Sequence, residues 1–378
     1  MAMAPLPTTM RAAVLRKPGE PLVIETLNVP RPRHGEVLLK VTACGLCHSD
    51  LHVLGGAIDF PVPAVLGHEV SGVIAELGDG LSHSGLDVGQ PVSGGFLMPC
   101  GECEACRRGR DDLCGPFFEM NRLHGTLYDG QTRLFTPDGE PVSMYSMGAL
   151  AQYCVVPATA VAPLASGLDP VNSAILGCAA MTAYGAVRHG ADLRYGESVA
   201  VVATGGVGSN ILQFASAMGA DPIIAIDVKE EKLAEARGLG ATHTVNSTTE
   251  DVRQRVLEIT GGRGVEVSFE ALGIPATWKT ALDALADGGR MVPVGLGAGV
   301  QTAGVEINRT VRRGQSILGS YGARTRVDLP AVVSMAARGV IDVDKVVHKT
   351  FSLDEVNEGY AMLHDGSMVG RGVIDMAL

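Results

Sequence analysis

A glycine-rich turn between two short apolar runs places the strongest constraint on how this chain folds. The run Ser198–Ala203 has the length and valine content of a buried parallel strand, and Val207–Met218 has the apolar spacing of a helix. A second apolar run, Pro222–Ile226, ends at Asp227. This strand–turn–helix–strand order, with an acid about 20 residues after the glycines, is the pattern of a dinucleotide-binding unit.

The turn itself predicts where a pyrophosphate binds. Its residues are Gly205, Gly206, Val207 and Gly208. Glycines let the pyrophosphate approach the backbone, and the N-terminus of the following helix favours negative charge. Ala203 stands where the pattern has its first glycine, and its methyl group is tolerated there if the backbone φ is negative.

Asp227 also bears on the choice of dinucleotide. A carboxylate at this position accepts hydrogen bonds from the adenosine ribose hydroxyls and repels the 2′-phosphate of NADP, so NAD is favoured. Lys229 and Lys232 follow shortly after and could partly offset this repulsion. A solvated start of the next helix explains both lysines equally well.

Helical and apolar patterns continue to alternate after Asp227. Helices are predicted at Glu230–Leu239, Thr249–Ile259 and Ala276–Ala286. Buried strands are predicted at Val265–Phe269, Arg290–Val294 and Ser316–Leu318. This alternation predicts an α/β domain with a doubly wound parallel sheet.

The rest of the chain has a different pattern. Before residue 180, short strands such as EVLLKVTAC and VSGVIAEL are separated by Pro and Gly turns, which is typical of a mostly antiparallel β domain. The tail, 326–378, predicts a helix, the strand KVVHKTFSL, a second helix and the closing strand GVIDM. We therefore expect two domains, one formed by residues 1–180 with 321–378 and the other by 181–320.

Four of the eight cysteines form one short cluster with the spacing C-x2-C-x2-C-x7-C. They are Cys100, Cys103, Cys106 and Cys114. Thiolates at such spacing can surround one ion at about 2.3 Å, which suits a closed, structural zinc site. Disulfides are disfavoured without a secretory signal, whereas an iron–sulfur cluster stays an alternative.

A second group of metal-binding residue types is dispersed along the chain. Cys47, His68 and Cys178 each follow a short apolar run and have a glycine nearby. Three protein ligands leave a fourth position for water or substrate, as in catalytic zinc sites. Taken singly, each of them is equally consistent with a packed core residue, and periodicity alone does not bring the three together.

Charge and hydropathy exclude several classes of protein. The formal net charge is −11, from 30 basic and 41 acidic side chains, so nucleic acids and anionic membranes are not expected partners. The N-terminal segment MAMAPLPTTMR lacks the apolar stretch of a signal peptide, and no run reaches the roughly 20 apolar residues of a membrane span. These features predict a soluble, cytoplasmic protein.

These motifs, in this order, resemble the zinc-dependent alcohol dehydrogenases of the medium-chain dehydrogenase/reductase superfamily. The resemblance runs from MRAAVL to the C-terminus and includes GLCHSD, GHE, the four-cysteine cluster, GC-x5-YG and TGGVG. The insertion RLHGTLYDGQTRLFTPDGEPVSMYSMGALAQYCVV resembles the liver-type and glutathione-dependent formaldehyde dehydrogenase branches. The implied fold is a Rossmann domain for NAD together with a GroES-like catalytic domain that holds two Zn²⁺ per subunit.

The resemblance implies a role for each matching position. The catalytic zinc ligands match Cys47, His68 and Cys178, and the four-cysteine cluster matches the structural zinc site. Around the catalytic zinc, Glu69 matches an alternate ligand, Asp50 the partner of the zinc-bound histidine, Ser49 the hydroxyl that takes the substrate proton, and His52 the histidine that passes this proton to solvent. On the cofactor side, His48 and Arg371 match pyrophosphate-binding residues and Thr182 a nicotinamide support. Lys232 is counted with Asp227 among the candidate cofactor-binding residues. Phe96, Leu150 and Leu296 match substrate-pocket residues, although each could equally be ordinary core.

The implied reaction is reversible hydride transfer between a zinc-bound primary or secondary alcohol and NAD, giving an aldehyde or ketone. A thiol-dependent formaldehyde dehydrogenase is an alternative, for which Arg122 is a candidate anchor of the adduct's carboxylates. The loop GGAIDFPVP offers only Asp59 where that branch has two acids, which disfavours glutathione itself. A zinc-independent enone or quinone reductase would lack the metal ligands, and a non-catalytic nucleotide-binding member would not need Ser49 with His52.

Family members pair through the last strands of the nucleotide-binding sheet. The corresponding edge is expected in or just after RMVPVGLGAGVQTAGVEI. Pairing there would cover an exposed edge strand, so a homodimer or homotetramer is expected.

Overall fold

The computed structural model describes residues 5–378, and their contacts divide the chain into two compact units. The first contains the chain up to Cys178, Arg324–Ala337 and Val347–Leu378. The second contains Ala179–Ala323 and Arg338–Val346. Residues 338–346 therefore lie in the second unit, although the sequence pattern assigned the whole tail to the first.

The chain contains 18 strands and ten α-helices in residues 5–378, and the two kinds of element alternate from β11 to β16. The strands are β1 (Thr9–Leu15), β2 (Val23–Asn28), β3 (Glu36–Gly45), β4 (Ala64–Val65), β5 (Val70–Leu77), β6 (Pro91–Gly94), β7 (Leu134–Phe135), β8 (Pro141–Met144), β9 (Tyr153–Pro157), β10 (Val161–Pro163), β11 (Val199–Val202), β12 (Ile223–Asp227), β13 (His243–Asn246), β14 (Val265–Glu270), β15 (Leu285–Pro293), β16 (Ser316–Ile317), β17 (Val347–Phe351) and β18 (Arg371–Asp375). The α-helices are α1 (His48–Leu54), α2 (Glu104–Arg107), α3 (Ala179–Gly185), α4 (Gly206–Ala217), α5 (Glu230–Gly238), α6 (Val252–Ile259), α7 (Pro275–Ala284), α8 (Ile307–Arg313), α9 (Thr325–Ala337) and α10 (Val356–His364). Short 3-10 or π-helical segments occupy Asp111–Leu113, Phe117–Leu123, Ala158–Ala160, Asn172–Gly177, Ala186–Gly190 and Leu353–Glu355.

The second unit is built on one six-stranded parallel sheet with the order β13-β12-β11-β14-β15-β16. Numbered within this unit, the order is 3-2-1-4-5-6, that of a doubly wound dinucleotide-binding fold. Its core includes Val202, Ile226 and Leu285, all buried. The predicted Rossmann sheet is confirmed.

Sequence patterns placed some element ends incorrectly in this sheet. The helix predicted to reach Ala286 ends at Ala284, because Leu285 already pairs with Val265 as the start of β15. Strand β13 was not predicted. It lies at the sheet edge, pairs only with β12 and is partly exposed, so it lacks a continuous apolar run.

The first unit contains the two mostly antiparallel sheets. One has the order β2-β1-β4-β8-β7, and the other has β10-β6-β5-β3-β18-β17 with β9 also paired to β3. Strand β3 is therefore central, with hydrogen-bonded registers to β5, β9 and β18. The β4–β8 and β17–β18 pairs are parallel and depart from the expected antiparallel pattern. Since β18 is the last strand, the C-terminal segment completes the sheet that carries the start of α1.

Within residues 5–378, none of the helices combines the length and the apolar character needed to span a bilayer.

Ala203, at the end of β11, departs from its expected backbone conformation. Its φ is +71°, in the left-handed region that disfavours residues with a Cβ atom. The expectation of a negative φ at Ala203 is therefore wrong. Five residues on, a Cβ at Gly208 would lie 2.0 Å from the carbonyl oxygen of Ala203, so only glycine fits there. The glycine turn packs tightly but carries local strain at Ala203.

We predict that Ala203→Gly raises the free energy of unfolding by about 1 kcal/mol, because glycine adopts this φ without steric cost. Denaturant unfolding of the intact protein measures the change. Ala225→Gly, in the buried strand β12, is the matched control and should lower the same quantity by about 1 kcal/mol. Equal destabilisation by both variants would contradict the assignment of strain to Ala203.

Candidate metal and cofactor sites

Four buried side chains from distant parts of the sequence converge in the first unit. The ligand-type atoms of Cys47, His68, Glu69 and Cys178 all lie within 4.8 Å of one another. Cys47 follows β3 and is the N-cap of α1, while His68 and Glu69 come directly before β5. Cys178 follows the 3-10 segment Asn172–Gly177. Two thiols, an imidazole and a carboxylate form a donor set that fits a four-coordinate zinc ion.

Asp50 orients the histidine of this group. Its Oδ1 lies 3.1 Å from Nδ1 of His68 and accepts a 3.3 Å hydrogen bond from the backbone N–H of Gly67. The Nδ1 atom is thereby engaged, which leaves Nε2 of His68 as the ligand atom for a metal. The hydroxyl of Tyr360 donates to the other oxygen, Oδ2, at 3.0 Å.

A buried ion pair between Arg371 and Glu69 also belongs to this group. Nη2 of Arg371 donates to Oε1 of Glu69 at 2.5 Å and lies 3.7 Å from Sγ of Cys47. Nη1 of the same guanidinium donates to the carbonyl oxygen of Leu46 at 3.1 Å. Oε2 of Glu69 is buried and has no hydrogen-bond partner in the described structure. An unsatisfied carboxylate oxygen beside two thiols and an imidazole is consistent with a site for a cation.

The buried groups of this site shift one another's pKa values in both directions. A hydrogen bond from the Cys178 thiol, with the charges of Arg371 and His68, holds the pKa of Cys47 well below its ordinary value despite burial. Burial alone would lower the pKa of His68, but the charges of Asp50 and Cys47 raise it to about 10. Burial raises the pKa of Glu69 to about 7, although Arg371 opposes this.

Ser49 and His52 lie one turn apart on α1, next to Cys47. Oγ of Ser49 is 3.7 Å from Sγ of Cys47, and Ser49 is half-buried. Residues three apart in a helix share one face, so both side chains lie on the same side of α1. Burial lowers the pKa of His52, which keeps it neutral and able to accept a proton at pH 7.

Aromatic side chains surround His68. The ring centroids of Phe96 and Tyr145 each lie 6.0 Å from that of His68, and Phe60 packs 5.1 Å from Tyr145. The guanidinium carbon of Arg122 is 4.0 Å from the Tyr145 ring centroid, and its Nη2 donates to the Tyr145 hydroxyl at 2.5 Å. Apolar surface therefore lies close to the Cys47 group, as we call the set of Cys47, His68, Glu69 and Cys178. The guanidinium of Arg122 packs against this surface at Tyr145.

The four clustered cysteines also converge. Their sulfur atoms lie within 4.8 Å of one another, with Cys100 and Cys106 at 4.0 Å, and all are free thiols. The backbone N–H groups of Cys103 and Cys100 donate to sulfurs of Cys100 and Cys114, each at 3.3 Å. Hydrogen bonds from Cys106 and the neighbouring thiols lower the pKa of Cys103 to about 7, although burial opposes them. This all-thiol donor set fits a closed metal site.

An ion pair from outside the cluster holds this loop. Asp111 is buried, and its carboxylate accepts hydrogen bonds from the guanidinium of Arg326 on α9 at 2.7 and 3.0 Å. Nη2 of Arg326 also donates to the carbonyl oxygen of Cys106 at 2.5 Å. Arg326 therefore contacts the loop between the third and fourth cysteines, a contact that the sequence pattern did not reveal.

The glycine turn of the second unit forms the predicted helix N-terminus. Gly205 is the N-cap of α4, and a Cβ there would meet no atom within 4 Å, so the space above the turn is open. Oδ2 of Asp227 accepts hydrogen bonds from N and Oγ1 of Thr204 at 2.8 and 3.1 Å, and Oδ1 accepts from Val228 N at 2.8 Å. Asp227 thus ties the turn to the end of β12. An open helix N-terminus beside a carboxylate fits a dinucleotide.

The remaining predicted residues occupy varied positions. His48 is exposed at the start of α1, and Leu150 is fully buried in the first unit. In the second unit Thr182 is buried in α3, Lys232 is partly exposed on α5, and Leu296 is 48% exposed on a loop. Phe96 is thus the predicted pocket residue that lies beside His68. For Leu150 and Leu296, the pocket role stays a prediction.

Tyr360, Tyr145, Thr204 and the Asp111–Arg326 pair were missed by sequence reasoning. Tyr360 lies 310 residues from Asp50, and Arg326 lies 215 residues from Asp111. Single tyrosines and arginines carry no spacing signal, so only the folded chain shows these contacts.

Comparisons with known proteins show which family the chain belongs to. Residues 33–166 match the family described as alcohol dehydrogenase GroES-like domain, and residues 206–338 match the family described as zinc-binding dehydrogenase. The chain is 35% identical over 368 residues to an S-(hydroxymethyl)glutathione dehydrogenase from Escherichia coli, covering 95% of this chain and 98% of the relative.

Solved structures resemble the whole chain as well. An alcohol dehydrogenase zinc-binding domain protein from Burkholderia ambifaria superimposes with a TM-score of 0.91 at 32% identity, covering 97% of this chain and 98% of that one. Benzyl alcohol dehydrogenase from Acinetobacter calcoaceticus gives a TM-score of 0.90 at 30% identity, covering 97% and 99%.

We predict that Asp50→Asn weakens zinc binding at the Cys47 group by about 10- to 100-fold, because the neutral amide no longer fixes and polarises His68. Zinc content after dialysis against graded chelator measures the loss. The exposed acid Asp59 provides the control, and Asp59→Asn should retain parental zinc content. Unchanged retention in Asp50→Asn would contradict the role assigned to Asp50.

Proposed function

Because the chain belongs to the zinc-binding alcohol dehydrogenases, we propose that its first unit is the catalytic domain and its second unit the nucleotide-binding domain. The protein is an oxidoreductase with Zn²⁺ and NAD as cofactors. In our proposal it transfers a hydride reversibly between a primary or secondary alcohol and NAD. The convergence of Cys47, His68 and Cys178 beside Ser49 is the observation that carries this proposal.

Cys47, His68 and Cys178 would hold the catalytic Zn²⁺, with Glu69 as an alternate donor. The four-cysteine cluster would hold the structural Zn²⁺ described above, which makes two per subunit. Bound in the first site, the metal supplies Lewis acidity to the substrate oxygen, while NAD supplies the hydride acceptor. Zinc-independent reductase chemistry is disfavoured because the complete donor set is present.

Ser49 and His52 form the proton pathway in this proposal. The Ser49 hydroxyl takes the proton of the substrate alcohol, and His52 passes it towards solvent. The neutral state of His52 supports this role, since only the neutral ring accepts a proton. A paired hydroxyl and histidine beside the metal ligands also disfavour a purely nucleotide-binding, non-catalytic role.

The glycine turn would bind the pyrophosphate of NAD at the N-terminus of α4. Asp227 would accept hydrogen bonds from the adenosine ribose, with Lys232 nearby on α5. The assignments of His48 and Arg371 to the pyrophosphate and of Thr182 to the nicotinamide rest on the family resemblance. For Arg371, the contacts with Glu69 and Cys47 support an additional role in the metal site.

An apolar or aromatic alcohol is the substrate class that the first unit supports best. Phe96 and Tyr145 place aromatic surface beside His68, which suits a hydrophobic alcohol rather than a small hydrated one. The similarity to benzyl alcohol dehydrogenase favours the same substrate class.

A thiol adduct of formaldehyde is the second candidate substrate. Arg122 packs on Tyr145 and could meet a carboxylate of such an adduct. The similarity to S-(hydroxymethyl)glutathione dehydrogenase favours the same candidate. Assays with formaldehyde in the presence and absence of thiols separate it from simple alcohol oxidation.

We also propose a cytoplasmic homodimer or homotetramer. The two-residue strand β16 lies at the edge of the six-stranded sheet, and Val300, Ile307 and Val311 between β15 and β16 are exposed apolar residues. A second copy of the chain would cover this surface. Sedimentation of the purified protein distinguishes the two oligomers.

We predict NADH formation by the zinc-loaded protein with NAD and aliphatic or benzylic alcohols, and its complete loss in Cys47→Ala. Ser49→Ala should lower kcat/KM by about 100-fold or more, because it removes the first proton acceptor. His52→Gln should lower the rate less, since water can replace a later step. His83→Gln, at an exposed site, is the control. No turnover of any alcohol by protein with bound zinc and NAD would refute the proposal.

Removal of the Asp227 carboxylate should reduce the preference for NAD over NADP. We predict that Asp227→Asn changes the ratio of kcat/KM for NAD over that for NADP by about tenfold or more towards NADP, because a like-charge repulsion is lost. Initial rates with both cofactors measure this ratio. Asp251→Asn, at the exposed N-cap of α6, should leave it unchanged. An unaltered ratio in Asp227→Asn would remove Asp227 from cofactor selection.

A further inference from the structure

Both oxygens of the Asp50 carboxylate are committed to different partners. Oδ1 bonds to Nδ1 of His68 and to the backbone of Gly67, while Oδ2 accepts the hydroxyl proton of Tyr360. Asp50, His68 and Tyr360 are all at most 4% exposed, so water does not compete for these bonds. The carboxylate is therefore held from both sides, and its plane is set by the tyrosine as much as by the histidine.

The contacts of helix α10 place the Tyr360 hydroxyl beside Asp50. In its first turn, Asn357 exchanges two hydrogen bonds of 2.9 Å with the backbone of Leu22. Gly359 faces Leu46, where a Cβ would lie 2.5 Å from the Leu46 Cδ1 atom. Because glycine permits this close approach, the next residue, Tyr360, reaches Asp50 at the start of α1.

The tyrosine acts only as a donor. Burial and the charge of Asp50 raise its pKa well above the ordinary value, so the hydroxyl keeps its proton. A neutral donor stabilises the ionised carboxylate without adding a competing charge near the metal ligands. Loss of the hydroxyl would leave Oδ2 buried and unpartnered, so the carboxylate would be held through Oδ1 alone.

We propose that Tyr360 is a positioning residue for the catalytic metal, acting through Asp50 to hold the His68 ring in its ligating orientation. This inference rests on the proposed function, because it requires a metal at the Cys47 group. The bonds to His68 and Gly67 both act on Oδ1 and leave Oδ2 without a partner. The Tyr360 hydroxyl supplies that partner from a part of the chain 310 residues away.

The test uses the second metal site of the same subunit as an internal reference. Tyr360→Phe and Tyr153→Phe are prepared with both sites loaded, and zinc release into excess chelator is followed with a colorimetric metal indicator. Tyr153 is a buried tyrosine of β9 in the same unit and outside the Asp50 chain of bonds. Cobalt-substituted protein assigns each phase, because thiolate charge-transfer bands differ between a four-thiolate site and one with an imidazole.

We expect Tyr360→Phe to accelerate release from the Cys47 group by about tenfold or more, with the four-cysteine phase unchanged. In an Asp50→Asn background the same substitution should add little, because the bond it removes acts through the carboxylate. Tyr153→Phe should match the parent in both phases. These results together would distinguish positioning from general destabilisation, which accelerates both phases.

Three outcomes would overturn the inference. Equal acceleration of both phases in Tyr360→Phe would assign only a packing role to the tyrosine. Release that matches Tyr153→Phe would show that the hydroxyl does not act on the metal. A parent protein that binds zinc only at the four cysteines would overturn the proposed catalytic site and this inference together, whereas the first two outcomes leave the catalytic site intact.

Discussion

The buried ion pair between Arg371 and Glu69 links three distant segments of the first unit. Glu69 precedes β5, Arg371 begins the last strand, and the guanidinium also contacts Leu46 and Cys47 at the end of β3. Gly45 permits this arrangement, because a Cβ there would lie 2.2 Å from Oε2 of Glu69. A charge at this depth is stable only with its partner in place. Strand β18, which carries Arg371, must therefore be in place for the Cys47 group to have its final geometry.

The C-terminal segment thus has more influence on the site than its distance in sequence indicates. It contributes Arg371 from β18, which contacts Glu69 and Cys47, and Tyr360 from α10, which contacts Asp50. Neither residue is a metal ligand. Both residues restrict the orientation of candidate ligands, Arg371 that of Glu69 and Tyr360, through Asp50, that of His68. Such contacts around the ligands set the affinity and reactivity of a metal site.

Local patterns predicted the second unit well because several of its elements are encoded in consecutive residues. Strands β11 and β12 are short apolar runs, and the glycine turn is readable from consecutive residues. The errors occur where neighbours in space override the pattern. Leu285 becomes a strand residue because Val265 pairs with it, β13 is a partly exposed edge, and Ala203 adopts a positive φ within a tightly packed turn. The four-cysteine cluster was equally readable, since its members lie within 15 residues.

The group formed by Cys47, His68, Glu69 and Cys178 was predicted only through resemblance to known proteins. Cys47, His68 and Cys178 lie far apart in sequence, and each alone looks like a core residue. Their partners Tyr360 and Tyr145 carried no signal at all. By itself, the sequence determined the doubly wound sheet, the glycine turn and the four-thiol cluster, because each depends on residues close together in the chain. Only the tertiary structure decided which distant side chains surround the Cys47 group, because pairing of β18 with β3 and packing of α10 on Leu46 bring them there.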